Sequence, residues 1–309
     1  MQYYFMILAA VILLALQFAT NKAYGLRRGN SAKASLVFST FAGFASAAVS
    51  AVIALITKQG IEITPFSLVM AALVALFCCS YTFIGFKIMA LGSLSVFTMF
   101  LMLGGVILPY IYGLIRLGEP ATPAKIIGII LLTVSLAFPV LAREKNGRSS
   151  IVFFLLCAAV FLLNGGVSIT SKIHQITTSF DTVNSASFSL LSNLMNAVIS
   201  TVGLIIVTAA SKNKTEKSSE DKRDGTLIKA SHVVIALIII ANAACNGVSY
   251  MLQLVSAGQV PASVMYPMMT GGSMVLSAIA GRIFFGEKPD KISLIGLIIS
   301  FAATFLFLF

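Results

Sequence analysis

Nearly the whole of this 309-residue chain is laid out as long apolar runs separated by short polar connectors. A helix needs about 20 apolar residues to cross the hydrocarbon core of a bilayer. Runs of that length fall at residues 3–24, 35–57, 66–89, 93–115, 124–142, 151–172, 182–210, 232–255, 260–284 and 291–309. They are continuously apolar rather than alternating, so they predict helices and not barrel strands. Only 10% of the residues are charged, against about a quarter in soluble domains. Such a chain cannot cover itself with polar surface in water, and lipid is the solvent that fits. The longest polar stretch, 211–230, is too short to bury a core of its own. The expected fold is therefore all-α and integral to the membrane, with ten transmembrane helices. Met1-Gln-Tyr-Tyr-Phe5 carries no positive charge, so the first run is expected to be a span and not a cleaved leader.

The net charge of +11 does not imply nucleic acid. The Lys and Arg residues lie in connectors instead of forming a basic face with interleaved aromatics. Their distribution reads as topology. Connectors after spans 1, 3, 5, 7 and 9 hold seventeen of the 21; the other side holds only Lys58, Arg116, Lys125 and Lys172. By the positive-inside rule both termini are extracytoplasmic. A multi-pass protein of the plasma (inner) membrane is expected.

The chain repeats itself. Shifted by 168 residues, segment 90–131 lies over 258–299 without a gap. Ser95-Val96 then meets Ser263-Val264, Gly104 meets Gly272, and Gly113 meets Gly281. Gly118-Glu119 falls on Gly286-Glu287, and Ile127-Gly128 on Ile295-Gly296. Chance explains aligned Ile and Leu in an apolar chain, but not Gly-Glu in register. Two units follow, 1–142 and 151–309, joined by connector 143–150, with 211–230 as a polar cytoplasmic loop in the second. Five helices per unit is an odd number, so the second enters the membrane in the opposite sense. Inverted repeats of this kind are common in secondary transporters, with the site near the midplane between the halves.

Segment 258–299, with Phe284-Phe285-Gly286-Glu287 before a final helix opening near Gly296, resembles the repeat of EamA-type proteins of the drug/metabolite transporter superfamily. Segment 91–131, with Leu117-Gly118-Glu119-Pro120 and Gly128, is similar to the same motif. The resemblance implies a basket of two inverted five-helix bundles around a central cavity. Spans 1, 3, 4, 6, 8 and 9 would line it, and spans 5 and 10 would pack outside.

Polar residues inside the spans supply candidate site groups. Span 8 carries Asn242, Asn246, Ser249, Tyr250 and Gln253 on one helical face. Span 6 offers Asn164, Ser168, Ser171 and Lys172, and span 9 offers Tyr266, Thr270, Ser273 and Ser277. Amides and hydroxyls in a bilayer must face protein or a wet cavity. The competing reading is interhelical hydrogen bonding, which suits an isolated Ser or Thr better than a five-residue stripe. The substrate-binding set expected from these faces is Gln17, Asn21, Tyr81, Thr98, Asn164, Ser168, Asn242, Asn246, Tyr250, Tyr266 and Thr270. A weaker stripe, Ser189, Asn193, Asn196 and Ser200 in span 7, reads equally as cavity or packing. The small residues of span 2, Ala42, Gly43, Ser46, Ala47, Ser50 and Ala51, read as packing. Gly104, Gly105 and Pro109 interrupt span 4, and Pro267, Gly271 and Gly272 interrupt the corresponding span 9; paired interruptions suggest hinges at a transporter site, with close packing as the alternative.

Glu119 and Glu287 sit in tight turns, where a carboxylate can cap the next helix. Lys22, Lys87, Lys172 and Arg282 fall at span ends and are expected to reach the headgroups. All ten acidic residues lie in or beside connectors, so substrate exchange or facilitated diffusion is expected without an obligatory proton. Cys78, Cys79, Cys157 and Cys245 lie within apolar runs without metal-ligand spacing. No metal or cofactor is expected, and neither is an enzyme, since membrane-embedded catalysis needs acidic or His clusters that the spans lack. The function expected is secondary transport of small polar metabolites, neutral or zwitterionic, by alternating access. A passive channel or a membrane-embedded enzyme is the alternative. The partners expected are a small-molecule substrate and the lipid bilayer, with no nucleic acid; a homodimer is compatible.

Overall fold

Ten helices run through the residues described by the computed structural model, namely 2–91, 94–135, 138, 151–212, 231–288 and 291–308. They are α1 (Gln2–Arg28), α2 (Ala32–Ile56), α3 (Pro65–Leu91), α4 (Leu94–Arg116) and α5 (Pro123–Ser135) in the first half. In the second half they are α6 (Ile151–Ile176), α7 (Ser185–Lys212), α8 (His232–Gln259), α9 (Ala262–Phe285) and α10 (Lys291–Phe305). No strand occurs among the described residues. All except α5 and α10 are long and apolar enough to cross a bilayer, eight spans of 21–28 residues. Connector 143–150 and most of the 211–230 loop lie outside the described residues, as does most of 136–142.

Several helices outrun their apolar windows. α1 continues to Arg28, α6 to Ile176 and α8 to Gln259, each about a turn beyond the span read from hydropathy. Hydropathy marks where lipid ends, while the backbone ladder continues until a residue stops it. Gly29, at φ 80°, closes α1. Ser31 and Ser231 open α2 and α8 by accepting from Ala34 N (3.2 Å) and Val234 N (3.4 Å). Large apolar side chains such as Leu8, Ile12, Ile205 and Ile206 are exposed. In water that surface would be an aggregation hazard; in a bilayer it is the lipid face.

The halves interleave. α1 packs on α8 and α9, α2 on α7 and α8, α3 on α6 and α7, and α4 on α6 and α9, with α5 against α10 at the periphery. Glycines permit the closest crossings. A Cβ on Gly104 would overlap the backbone carbonyl of Phe161, and one on Gly165 would reach the carbonyl of Gly104 at 2.8 Å. On the other side, a Cβ on Gly43 would lie 2.9 Å from the Ala197 nitrogen. Such small-residue contacts let helices associate where lipid removes the hydrophobic drive.

Candidate functional site

Between the halves lies a cavity with about 140 Å³ open to the centres of water-sized molecules, lined from α1, α2, α3, α4, α6, α7, α8 and α9. α5 and α10 contribute nothing to it, in line with their peripheral packing. Ten of the eleven residues expected at a binding site line this space: Gln17, Asn21, Tyr81, Asn164, Ser168, Asn242, Asn246, Tyr250, Tyr266 and Thr270. Thr98 does not. It is buried in the α4–α9 contact, 3.1 Å from Ser277 Oγ. A single hydroxyl finds one partner across a helix crossing and needs no water.

α2 and α7, to which the basket analogy assigns no place, also line the cavity, through Ser39, Ala42 and Gly43 and through Ser192, Asn193 and Asn196. The span 7 stripe therefore divides. Asn193 and Asn196 face the cavity, while Ser189 turns to Ser50 of α2 at 2.9 Å. The small residues of α2 serve both readings, because a helix that packs closely on α7 also brings its face to the cavity wall.

The polar lining is held by a hydrogen-bond lattice that crosses between the halves. Asn242 on α8 donates to Gln17 O (3.1 Å) and Asn21 Oδ1 (2.6 Å) on α1. Asn246 donates to Ser46 Oγ on α2 (3.1 Å) and Asn193 Oδ1 on α7 (3.0 Å). Asn164 on α6 donates to Leu101 O of α4 at 2.7 Å, and Tyr266 on α9 donates to Ser168 O of α6 at 2.8 Å. Ser249, in the middle of the α8 stripe, instead donates to Ala10 O of α1. Among the described residues no Asp, Glu, Lys, Arg or His appears in the lining.

The four glycines read as hinges occupy close crossings. Gly105 lies against Asn164, Gly104 against Phe161, Gly271 against Thr304 and Gly272 against Val11. α4 runs through Pro109 and α9 through Pro267 as continuous helices.

Charged groups gather beyond the two ends of the cavity, in arrangements that correct the sequence reading. Glu119 caps the start of α9 and not that of α5, the next helix in the chain. Its carboxylate accepts from Ala262 N (3.2 Å) and Ser263 N (3.1 Å), the start of α9 in the other half. Glu287 pairs with Lys22 of α1, and the Lys22 ammonium also stands 5.3 Å from the Phe285 ring. The two turns share one geometry. Gly118 and Gly286 have φ of 65° and 64°, and Glu119 N and Glu287 N each donate 3.1 Å back to Gly113 O and Gly281 O. A side chain at Gly113 or Gly281 would strike the returning carboxylate, which accounts for the register Gly-x₄-Gly-Glu in both halves.

Lys22 and Lys172 do not extend to headgroups either. Lys172 is 7% exposed and donates to Ala257 O (2.8 Å) and Val260 O (3.3 Å) at the end of α8. The cause is helix length. α6 extends past Lys172, and the free carbonyls at a helix C-terminus attract a cation. Lys125 is buried likewise, donating to Ser263 Oγ at 3.3 Å. Lys87 does remain exposed, above the Phe83 ring. His174 is buried against Phe188 at 3.7 Å between ring centres, with its Nε2 2.8 Å from Ser67 Oγ, and ties α6 to α3.

Replacing Asn246 by Ala removes two of these cross-links. At about 0.6 kcal/mol per membrane hydrogen bond, the loss in stability should be about 1 kcal/mol, seen as a small drop in melting temperature. If Asn246 also binds substrate, ligand affinity should fall at the same time. An unchanged affinity with the lower melting point would reduce its role to holding α2, α7 and α8.

Comparison with known proteins returns a consistent picture. The family model described as "EamA-like transporter family" matches residues 149–309. A solved crystal structure superposes with a TM-score of 0.64 over 99% of this chain and 96% of its own, at 14% identity, so the two share a fold. No curated protein sequence matches the chain.

Proposed function

Since the chain belongs to the EamA-like transporter family, and so is a multi-pass membrane transporter of the drug/metabolite type, we propose that it is a secondary carrier for small polar solutes. Alternating access through the central cavity moves the solute, which is neutral or zwitterionic. One observation carries this reading: a cavity among eight helices whose polar lining is built from amides and hydroxyls without a charged side chain. Such a lining replaces the water of a polar solute at modest cost and holds no ion that would need a counterion in the membrane.

Two features support alternation. Exchanging the halves carries the main helix contacts into others that exist: α1 on α8 becomes α6 on α3, α1 on α9 becomes α6 on α4, and α2 on α8 becomes α7 on α3. This exchange supports an inverted repeat, in which one half can adopt the state of the other. The charged turns also obey it. Lys22 with Glu287 stands at one end, and their counterparts Lys172 and Glu119 stand at the other. By the charge distribution of the connectors, the Lys22–Glu287 end faces the cytoplasm and both termini lie outside it. Substrate exchange or facilitated diffusion fits the uncharged lining.

The test is counterflow in proteoliposomes, with solutes first selected by thermal stabilisation of the purified protein. A carrier accumulates labelled solute transiently against a preloaded unlabelled pool, and does so saturably. An open pore equilibrates without overshoot, and that result would replace this reading by a channel.

A further inference from the structure

The hydrogen bonds of the lining fix which way its amides point, and so what they offer a solute. A backbone carbonyl can only accept, so the atom facing it must be a nitrogen. Asn164 faces Leu101 O and Asn242 faces Gln17 O, which directs both Nδ2 groups into the protein. Asn193 faces Ser189 O at 2.9 Å, which makes its Oδ1 the acceptor for Asn246. The second contact agrees, because the Ser46 hydroxyl is committed to Ala243 O and must accept from Asn246. Gln253 is fixed in the same way by Ser249, whose proton goes to Ala10 O.

Asn242 and Asn246 spend both amide N–H groups in this way and Asn164 and Gln253 one each, while the side-chain oxygens are left over. The side-chain oxygens of Asn164, Asn242, Asn246 and Gln253 receive no hydrogen bond from the described residues. Asn196 Oδ1, also at the cavity, is buried with no partner among them. The hydroxyls of Tyr266 and Thr270 donate into Ser168 O and Met102 O, leaving lone pairs outward. Among the amides fixed in this way, Asn21 is the exception, with its Oδ1 engaged and its Nδ2 left to donate. Of these acceptors Asn196 Oδ1 is buried, where an unmade hydrogen bond is costly, and the others face the cavity and bond to whatever fills it.

Building on the carrier reading of the same cavity, we infer that the solute it takes is uncharged over the groups it buries and presents N–H donors to this acceptor wall. Primary amides and amino-substituted heterocycles have that chemistry. A carboxylate or phosphate does not: it would bring lone pairs against lone pairs, with no cation in the lining to offset them.

The test is equilibrium binding, followed as the thermal midpoint of the purified full-length protein, so its outcome is independent of whether counterflow is seen. A matched triplet separates charge from donor count: nicotinamide, its N,N-dimethyl amide and nicotinate, with adenine as an amino heterocycle. Nicotinamide or adenine should raise the midpoint by about 2–4 °C or more, and the dimethyl amide and the acid should not. Equal or larger shifts with the dimethyl amide or the acid would overturn the inference, as would the absence of a shift with both N–H compounds.

Discussion

Glu287→Gln is expected to open the cytoplasmic end of the cavity. The Lys22–Glu287 pair joins α1 to the turn after α9, with the two side chains only 13% and 12% exposed. Removing one partner of a pair shielded to that degree leaves an uncompensated charge, at a cost of about 3–5 kcal/mol. Part of that cost falls on the folded protein in general and part on the closed state alone. Even about 1.4 kcal/mol on the closed state shifts the population tenfold. With Cys79, Cys157 and Cys245 replaced, Cys78 remains as a reporter in the cavity wall. Its modification by an impermeant thiol reagent from the cytoplasmic face should accelerate about tenfold or more in Glu287→Gln. The double exchange Lys22→Glu with Glu287→Lys should recover much of the protection. A uniform loss of thermal stability, with no change in labelling and no rescue, would make the pair a staple rather than a lock.

Gly104→Val should cost the most among single substitutions in the core. The added Cβ would overlap the Phe161 carbonyl, and α6 cannot retreat because Gly165 already brings its backbone against Gly104 O. Overpacking usually costs about 1–3 kcal/mol, and a collision with backbone at a glycine-to-glycine crossing belongs at the top of that range or above it. The expected result is a large fall in monodisperse protein recovered in detergent and a lower melting temperature for what remains. Gly60→Ala serves as the control, since nothing lies within 4 Å of a Cβ there. Equal recovery of Gly104→Val and the control would show that α4 and α6 are free to separate.

The helices were legible because lipid imposes one requirement on every span, about 20 apolar residues with satisfied backbone. The α8 face was legible for the same reason. Asn242, Asn246, Tyr250 and Gln253 recur at helical period, and all four line the cavity. What the sequence hid was pairing across the chain. Glu119 meets a helix that begins 143 residues later, and Lys22 meets a turn 265 residues away. Both distances are tertiary, and local rules for caps and span ends could only nominate nearer partners. Thr98 was misplaced because an isolated hydroxyl carries no facing information of its own, and Ser277 claims it. Asn193 and Asn196 stayed ambiguous because an amide can be cavity wall and cross-link at once; Asn193 is both.

Alternation itself is tested most directly by asking from which side Cys78 can be reached. In the single-cysteine background, right-side-out and inside-out vesicles are treated separately with the same impermeant thiol reagent. Alternating access predicts modification from both faces. It also predicts that Lys22→Cys with Glu287→Cys, joined by a thiol crosslinker applied and quenched before the reagent while Cys78 is shielded by ligand, abolishes labelling from the cytoplasmic face and increases it from the other. Labelling from one face only, or from both faces regardless of the crosslink, would contradict a carrier built from two halves that close in turn.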